Sequence, residues 1–188
     1  MGIGDRRARQ HAERRRLIVT TARKLAETDG WDAVTTRRLS TEIEYSQPVL
    51  YKHFTGMEQI ADAVALDGFT ELADAMRTAD NGAPDDLLTR VARAYLEFAQ
   101  SNPAVYEAMF SRTSELRFAA DDTPPELSAA FAVLRDAVSR SAGGQDFDTL
   151  TELFWAALHG VVTLGRTSRL RPDHDEDRVR LLVERFRG

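Results

Sequence analysis

The chain has 188 residues, 43% of them hydrophobic and 29% charged, with a net charge of −5 and no cysteine. The missing cysteine excludes disulfides, thiolate catalysis and cysteine-bound zinc. The longest uncharged hydrophobic stretch, 153–164, is too short to span a bilayer, and the basic N-terminal segment lacks the apolar run of a secretory signal, so a soluble cytoplasmic protein is expected.

Charge is unevenly divided. Residues 1–56 hold 11 Lys+Arg against 7 Asp+Glu, whereas 57–188 hold 14 against 23. Arg6, Arg7, Arg9, Arg14, Arg15 and Arg16 crowd the first sixteen positions. A basic end on an acidic chain suits a polyanion partner at one place, with little indiscriminate adhesion elsewhere.

Every predicted element is helical, because no run alternates apolar and polar residues as a strand does. A first helix covers about 12–29, with Ile18, Ala22 and Leu25 inward and Gly30 as its stop. The arginines before it read as a flexible arm. Residues 35–54, TTRRLSTEIEYSQPVLYKHF, form two short helices meeting at a tight turn. Thr35 or Thr36 opens the first, which buries Leu39 and Ile43. The second follows Ser46, with Pro48 in the first turn, where no N–H is needed, and with Leu50 and Phe54 inward. Its outward set, Gln47, Val49, Tyr51, Lys52 and His53, mixes donors, an aromatic and a cation, which suits a DNA major groove. From periodicity alone, a merely solvated helical pair is an equal reading.

Thr55-x-x-Glu58 reads as a capping box opening a fourth helix to about Arg77, carrying Ile60, Val64, Leu72 and Met76. Asn81-Gly82-Ala83-Pro84 breaks the chain. A fifth helix, about 85–100, aligns Leu88, Val91, Tyr95 and Phe98. Asn102-Pro103 starts a short sixth, 112–124 reads as a loop, and Thr123-Pro124-Pro125-Glu126 opens a helix to about Ser141. Gly143-Gly144 ends it. The most apolar helix covers about 147–169, and Asp173-x-x-Glu176 caps a last one to about Phe186. The fold class is therefore all-α with about nine helices. Residues 1–56 make an arm and a helix-turn-helix domain, 57–188 a helical effector-binding and dimerisation body, and the fourth helix joins the two.

The succession of a long helix, Gly30-Trp31, Thr35-Thr36, the helix-turn-helix and Leu50-Tyr51-x-His53-Phe54 resembles the TetR family of bacterial transcriptional regulators. The close likeness spans about 12–68; beyond it, only the helix arrangement and a Trp155…His159-Gly160 element resemble some branches. The resemblance implies base reading by Arg37, Gln47, Pro48, Val49 and Lys52. Arg matches guanine and Gln matches adenine at two points, and Val49 can meet a thymine methyl. It implies phosphate positioning by Thr36, Ser46, Tyr51, His53 and the N–H groups that open the fourth helix, with the arginine arm adding phosphate or minor-groove contacts. Two positions depart from the pattern. Glu44 stands where the turn usually has Gly, so the turn must form without glycine's freedom at positive φ. Met57 stands where a Lys is usual, which removes a phosphate contact. Both changes lower the expected DNA affinity.

In the body, Leu150, Leu153, Ala157, Val161 and Leu164 share one stripe of helix 147–169, and Trp155, His159 and Val162 another. Two apolar sides imply burial on both, either in one core or across an interface. The resemblance implies a homodimer packed on this helix and the last, with Ala156, Ala157 and Gly160 allowing close approach; two-fold symmetry also doubles the DNA read. Met76, Tyr95, Phe98, Tyr106, Met109, Phe110, Phe131, Phe154 and Trp155 are either ordinary core or the wall of a cavity for a hydrophobic effector, into which His159 could donate. Asp173-His174-Asp175-Glu176-Asp177 suits a helix start better than a metal. No cofactor is implied. Four histidines in unrelated contexts and no Gly-rich phosphate loop argue against an enzyme. The expectation is a homodimeric repressor on a pseudo-palindromic operator, released by a small hydrophobic effector. The alternative is a DNA-binding regulator answering to a protein partner or to no soluble ligand.

Overall fold

The computed structural model describes residues 3–80, 86–112, 116, 123–141 and 146–187. All regular structure among them is helical: α1 (Ile3–Asp29), a 3₁₀ turn (Trp31–Ala33), α2 (Thr36–Glu42), α3 (Gln47–Tyr51), α4 (Met57–Ala79), α5 (Leu87–Ser101), α6 (Pro103–Phe110), α7 (Pro125–Ser141), α8 (Phe147–Arg166) and α9 (Asp175–Phe186). The expected break at 81–84, most of the loop at 112–124 and the Gly143-Gly144 stop fall outside the described residues. The chain divides into two compact units, Met1–Gly68 with Asn102–Asp122, and Phe69–Ser101 with Thr123–Gly188. Helix α4 is continuous and supplies residues to both.

The first unit buries Ile18, Ala22, Leu25, Trp31, Leu39, Leu50 and Phe54. Gly30 ends α1 at φ 81°, a conformation that costs a residue with a Cβ, and its N–H returns to Ala26 O at 2.9 Å. Helix α6 belongs to this unit through its N-terminus. The Glu27 carboxylate accepts from the N–H groups of Ala104 (3.0 Å) and Val105 (3.1 Å), Arg23 Nη2 donates to Asn102 Oδ1 (2.9 Å), and Trp31 Nε1 donates to Ala104 O (2.8 Å). The first N–H groups of a helix have no partner within it, and Pro103 at the start has no N–H to satisfy, so a carboxylate from α1 completes the cap. A Cβ on Gly68 of α4 would lie 2.4 Å from Val105 Cγ1 and 2.9 Å from Met109 Sδ of α6, so these helices meet at a point that only glycine fits without displacement.

In the second unit α5 packs against α7, α8 and α9. The expected stripe of α5, Leu88, Val91, Tyr95 and Phe98, is buried, together with Leu127, Leu134 and Val138 of α7 and Val179 and Val183 of α9. Helix α8 is capped by Asp146, whose carboxylate accepts from Thr149 N at 3.0 Å, and it turns Thr151, Phe154 and Leu158 inward.

Four local expectations change. The arginine-rich segment is not a flexible arm; α1 begins at Ile3, because residues 5–17 are dominated by Ala, Arg, Gln and Glu, which favour a helix without any apolar stripe. At α4 the side chain that reaches back is that of Gln59, whose Oε1 accepts from Thr55 N at 2.9 Å, in place of Glu58. Helix α8 ends at Arg166, earlier than 169, because Ser168 adopts φ 54° and the N–H groups of Ser168 and Arg169 close onto Gly165 O and Leu164 O. Helix α9 starts at Asp175, since Asp173 sits at φ 58° outside the helix; His174 takes the cap position without a side-chain capping bond, its Nδ1 lying 3.5 Å from Asp177 Oδ2, and Asp175, Glu176 and Asp177 fill the first turn, where the helix dipole favours acids. Among the described residues no helix is long and apolar enough to cross a membrane, and no group of three His, Cys, Asp or Glu could hold a metal ion.

Candidate nucleic-acid interface

Helix α2 is fixed at its start by Thr35, whose Oγ1 accepts from Arg38 N at 3.2 Å. It ends in a paired closure, with Glu44 N donating to Thr41 O (3.3 Å) and Tyr45 N to Ser40 O (3.0 Å). That closure puts Glu44 at φ 56°, where a Cβ crowds the carbonyl and a non-glycine residue costs on the order of 1–2 kcal/mol. The glutamate therefore carries the strain its sequence position implies. Helix α3 then starts from Ser46, whose carbonyl accepts from Val49 N at 2.9 Å while its hydroxyl caps nothing.

This geometry gives α3 two unlike sides. Leu50 and Phe54 are each 2% exposed, whereas Tyr51 is 53% exposed and Gln47, Pro48 and Lys52 stand in solvent. Val49 and His53 are half-buried at the margin. On α2, Arg37 is exposed and has no ion pair among the described residues, while its neighbour Arg38 is tied to Asp29. Thr36 is half-buried and Ser46 exposed. Met57 is half-buried and lines a depression of about 380 Å³ with Trp31, Glu58 and Arg112.

Behind this face lies α1. Arg15 Nη1 donates to the carbonyl of His53 at 3.1 Å, and its guanidinium carbon sits 4.1 Å from the Phe54 ring centre. The rings of His11 and His53 lie 4.3 Å apart, and the Arg14 guanidinium is 6.0 Å from the Tyr45 ring. His53 Nδ1 is buried without a hydrogen-bond partner. Burial, followed by the nearby His11, Arg14, Arg15 and Lys52, holds the His53 imidazole below its ordinary pKa of 6.5. These contacts carry a weak signal in the sequence: positions 11, 15 and 18 share one face only if α1 extends upstream of residue 12.

Two family models match the chain. Residues 18–64 match that of bacterial regulatory proteins of the tetR family, and residues 88–186 match the tetracyclin repressor-like C-terminal domain. The chain belongs to the TetR family. An uncharacterized helix-turn-helix-type transcriptional regulator of Mycobacterium tuberculosis is 30% identical over 169 residues, covering 88% of this chain and 75% of that protein. Among solved structures, a protein of unknown function from Rhodococcus sp. RHA1 is similar with a TM-score of 0.76, 24% identity and 92% of each chain covered. RolR in complex with its ligand resorcinol is similar with a TM-score of 0.67, 18% identity, and 96% of this chain and 90% of that one covered. These last two likenesses concern the fold alone.

The TetR body holds the remaining sequence-derived candidates in separate places. Tyr106, Met109 and Phe110 lie on α6 in the first unit, whereas Met76, Tyr95, Phe98, Phe131, Trp155 and His159 lie in the second. Tyr95 is buried, and its hydroxyl accepts from Trp155 Nε1 at 3.2 Å; Phe131 meets Trp155 edge-on, with ring centres 6.4 Å apart. Met76 lines an open depression of about 410 Å³ with Leu87, Val91 and Val133. His159 is half-buried, with Nε2 3.3 Å from Thr163 Oγ1, and burial lowers its pKa. On α8 the inward face is Thr151, Phe154 and Leu158, of which only Phe154 was an expected interior residue; this leaves Leu153 56% and Leu164 40% exposed, with Ala157, Gly160 and Val161 half-buried between them. Nothing lies within 4 Å of a Cβ built on Gly160. Leu181 on α9 is also exposed.

Proposed function

We propose that this TetR-family regulator acts as a homodimeric repressor that reads a pseudo-palindromic operator through α3 and releases it when a small hydrophobic effector binds the body. The observation that carries the reading is the division of α3 and the turn after it into a buried side, Leu50 and Phe54, and a solvent side of Gln47, Pro48, Tyr51 and Lys52. Arg37 and Gln47 are the base readers; Val49 and Lys52 flank them, and Thr36, Ser46, Tyr51 and His53 hold phosphates. Arg37→Ala or Gln47→Ala should each cost roughly 1–3 kcal/mol on the preferred sequence and relax selection at one base pair. Equal weakening on all duplexes in a salt-controlled binding assay would remove that assignment.

Exposed Leu153 and Leu164, with half-buried Ala157 and Gly160 between them, support a dimer on α8, because residues at helical spacing leave an incompletely covered apolar stripe. Ala157→Glu should give monomers with much weaker operator binding; a variant that stays dimeric by light scattering moves the interface elsewhere. Release follows from an effector preferring a second conformation of the body, with α4, which contributes to both units, as the route. RolR binding resorcinol supports a small aromatic as the kind of ligand to try first. Control by a protein partner is favoured if no small ligand changes operator binding, an outcome consistent with the packed state of Tyr95. The reading also places the protein in the cytoplasm, as a regulator and not an enzyme.

A further inference from the structure

The DNA-reading residues 47–52 are bracketed on both sides by one face of α1. Before them, Tyr45 lies under the Arg14 guanidinium. After them, the His53 carbonyl takes a hydrogen bond from Arg15, the Phe54 ring lies under the same guanidinium, and the His53 ring lies against His11. Residues 11, 14, 15 and 18 share a helical face, and Ile18 beneath them is fully buried. Helix α3 has only five residues, Gln47–Tyr51, and the Ser46 side chain makes no capping bond. So short a helix does not set its own orientation by internal hydrogen bonds. It is aimed by the burial of Leu50, by its packing on α2 and by what grips its ends.

We infer that Arg15 is a positioning residue for the recognition helix, not a phosphate contact of a basic arm: its planar guanidinium accounts at once for the carbonyl after α3 and for the ring of Phe54. Arg14 assists at Tyr45. The inference rests on the DNA-binding reading and deepens it by sorting the N-terminal arginines. Arg6, Arg9 and Arg16 are exposed and make no such contact among the described residues, so they are the free charges for phosphate. Lysine cannot replace Arg15, because an ammonium donates to the carbonyl but does not stack in a plane.

The test uses the full chain, a duplex chosen by selection from a random pool, and an unrelated duplex of equal length, with binding followed by fluorescence anisotropy over a range of salt. Arg15→Lys keeps the charge. It should lower the ratio of specific to non-specific affinity tenfold or more and leave unchanged the slope of log affinity against log salt, with thermal unfolding confirming an intact fold. Arg16→Ala should weaken both duplexes alike and reduce the slope by about 0.9, the loss of one phosphate contact. If Arg15→Lys leaves the ratio unchanged, or if Arg15→Ala behaves as Arg16→Ala does, the positioning role is overturned. Should Arg15→Ala fail to fold, the lysine variant alone decides. A wild-type protein that selects no sequence would instead defeat the DNA-binding reading itself.

Discussion

Gly68→Ala should destabilise the protein, although alanine is the better helix former by about 1 kcal/mol. The added Cβ would stand 2.4 Å from Val105 Cγ1 and 2.9 Å from Met109 Sδ, whereas carbon atoms in contact prefer about 3.5–4.0 Å. Met109 can swing its thioether aside. Val105 is fully buried and β-branched, so its methyl cannot rotate away, and α6 or α4 must shift by roughly 1 Å. Helix α6 resists such a shift, because its N-terminus is tied to Glu27, Arg23 and Trp31. Overpacking costs about 1–3 kcal/mol, and so close an approach to a buried β-branched side chain belongs at about 2–3 kcal/mol, so after a gain of about 1 kcal/mol in helix propensity the net loss should be about 1–2 kcal/mol. For a chain of this length that is a fall in Tm of roughly 2–8 °C, readable by circular dichroism. Val105→Ala removes the clashing methyl, so the double variant should lose less than the sum of the two single losses by about 1 kcal/mol. A Gly68→Ala protein as stable as the wild type, or strict additivity with Val105→Ala, would refute the close approach.

Glu44→Gly relieves a left-handed residue and should raise stability by about 0.5–1 kcal/mol after allowing for glycine's freedom in the unfolded chain; no gain in urea midpoint would mean the turn is unstrained. Glu27→Ala leaves two N–H groups of α6 without a carboxylate and should cost about 1–3 kcal/mol, whereas Glu27→Gln, which keeps an acceptor oxygen, should cost less; equal losses would deny the cap. For pH, the imidazoles of His53 and His159 have folded pKa values below the ordinary 6.5, so the unfolded chain binds protons more readily. Stability is then fully present above about pH 6.5 and declines as pH falls below it. Around His53 the facing groups are His11, Arg14, Arg15 and Lys52, all of which disfavour its protonation. Asp86, Asp146 and Asp177 are lowered from 3.8 and act only near or below that pH, outside this window. The urea midpoint should therefore fall between pH 7.5 and 5.5, and less so in a His53→Gln, His159→Gln variant; a wild type more stable at pH 5.5 would contradict the sign.

The helix-turn-helix was legible because its determinants are local. Leu39 and Ile43, Thr35 as the cap of α2, Pro48 in the first turn of α3, and Leu50 with Phe54 fix the pair locally, and all four apolar residues are buried; the Ser46 hydroxyl, which the sequence suggests as a second cap, makes no such bond. The start of α1 was not legible, since a helix with no inward stripe has no periodic signal and rests on propensity alone. The attachment of α6 to α1 was hidden for another reason: Glu27 caps a helix 77 residues downstream, and no local pattern marks such a partner. In α8, apolar residues all round left the inward face undetermined by periodicity, and packing selected Thr151, Phe154 and Leu158. The aromatic set of the body likewise carried no signal separating Tyr106 on α6 from Tyr95 on α5, which belong to different units.

The central claim is that α3 reads DNA as one half of a two-fold pair. Selection of bound duplexes from a random pool by the full chain at near-physiological salt tests it directly. The account predicts enrichment of a pseudo-palindrome whose half-sites are centred about one helical turn apart, roughly 10 base pairs, with Gln47→Ala relaxing one symmetric pair of positions. Binding that is uniform across sequences, or enrichment of a single unpaired half-site, would contradict it.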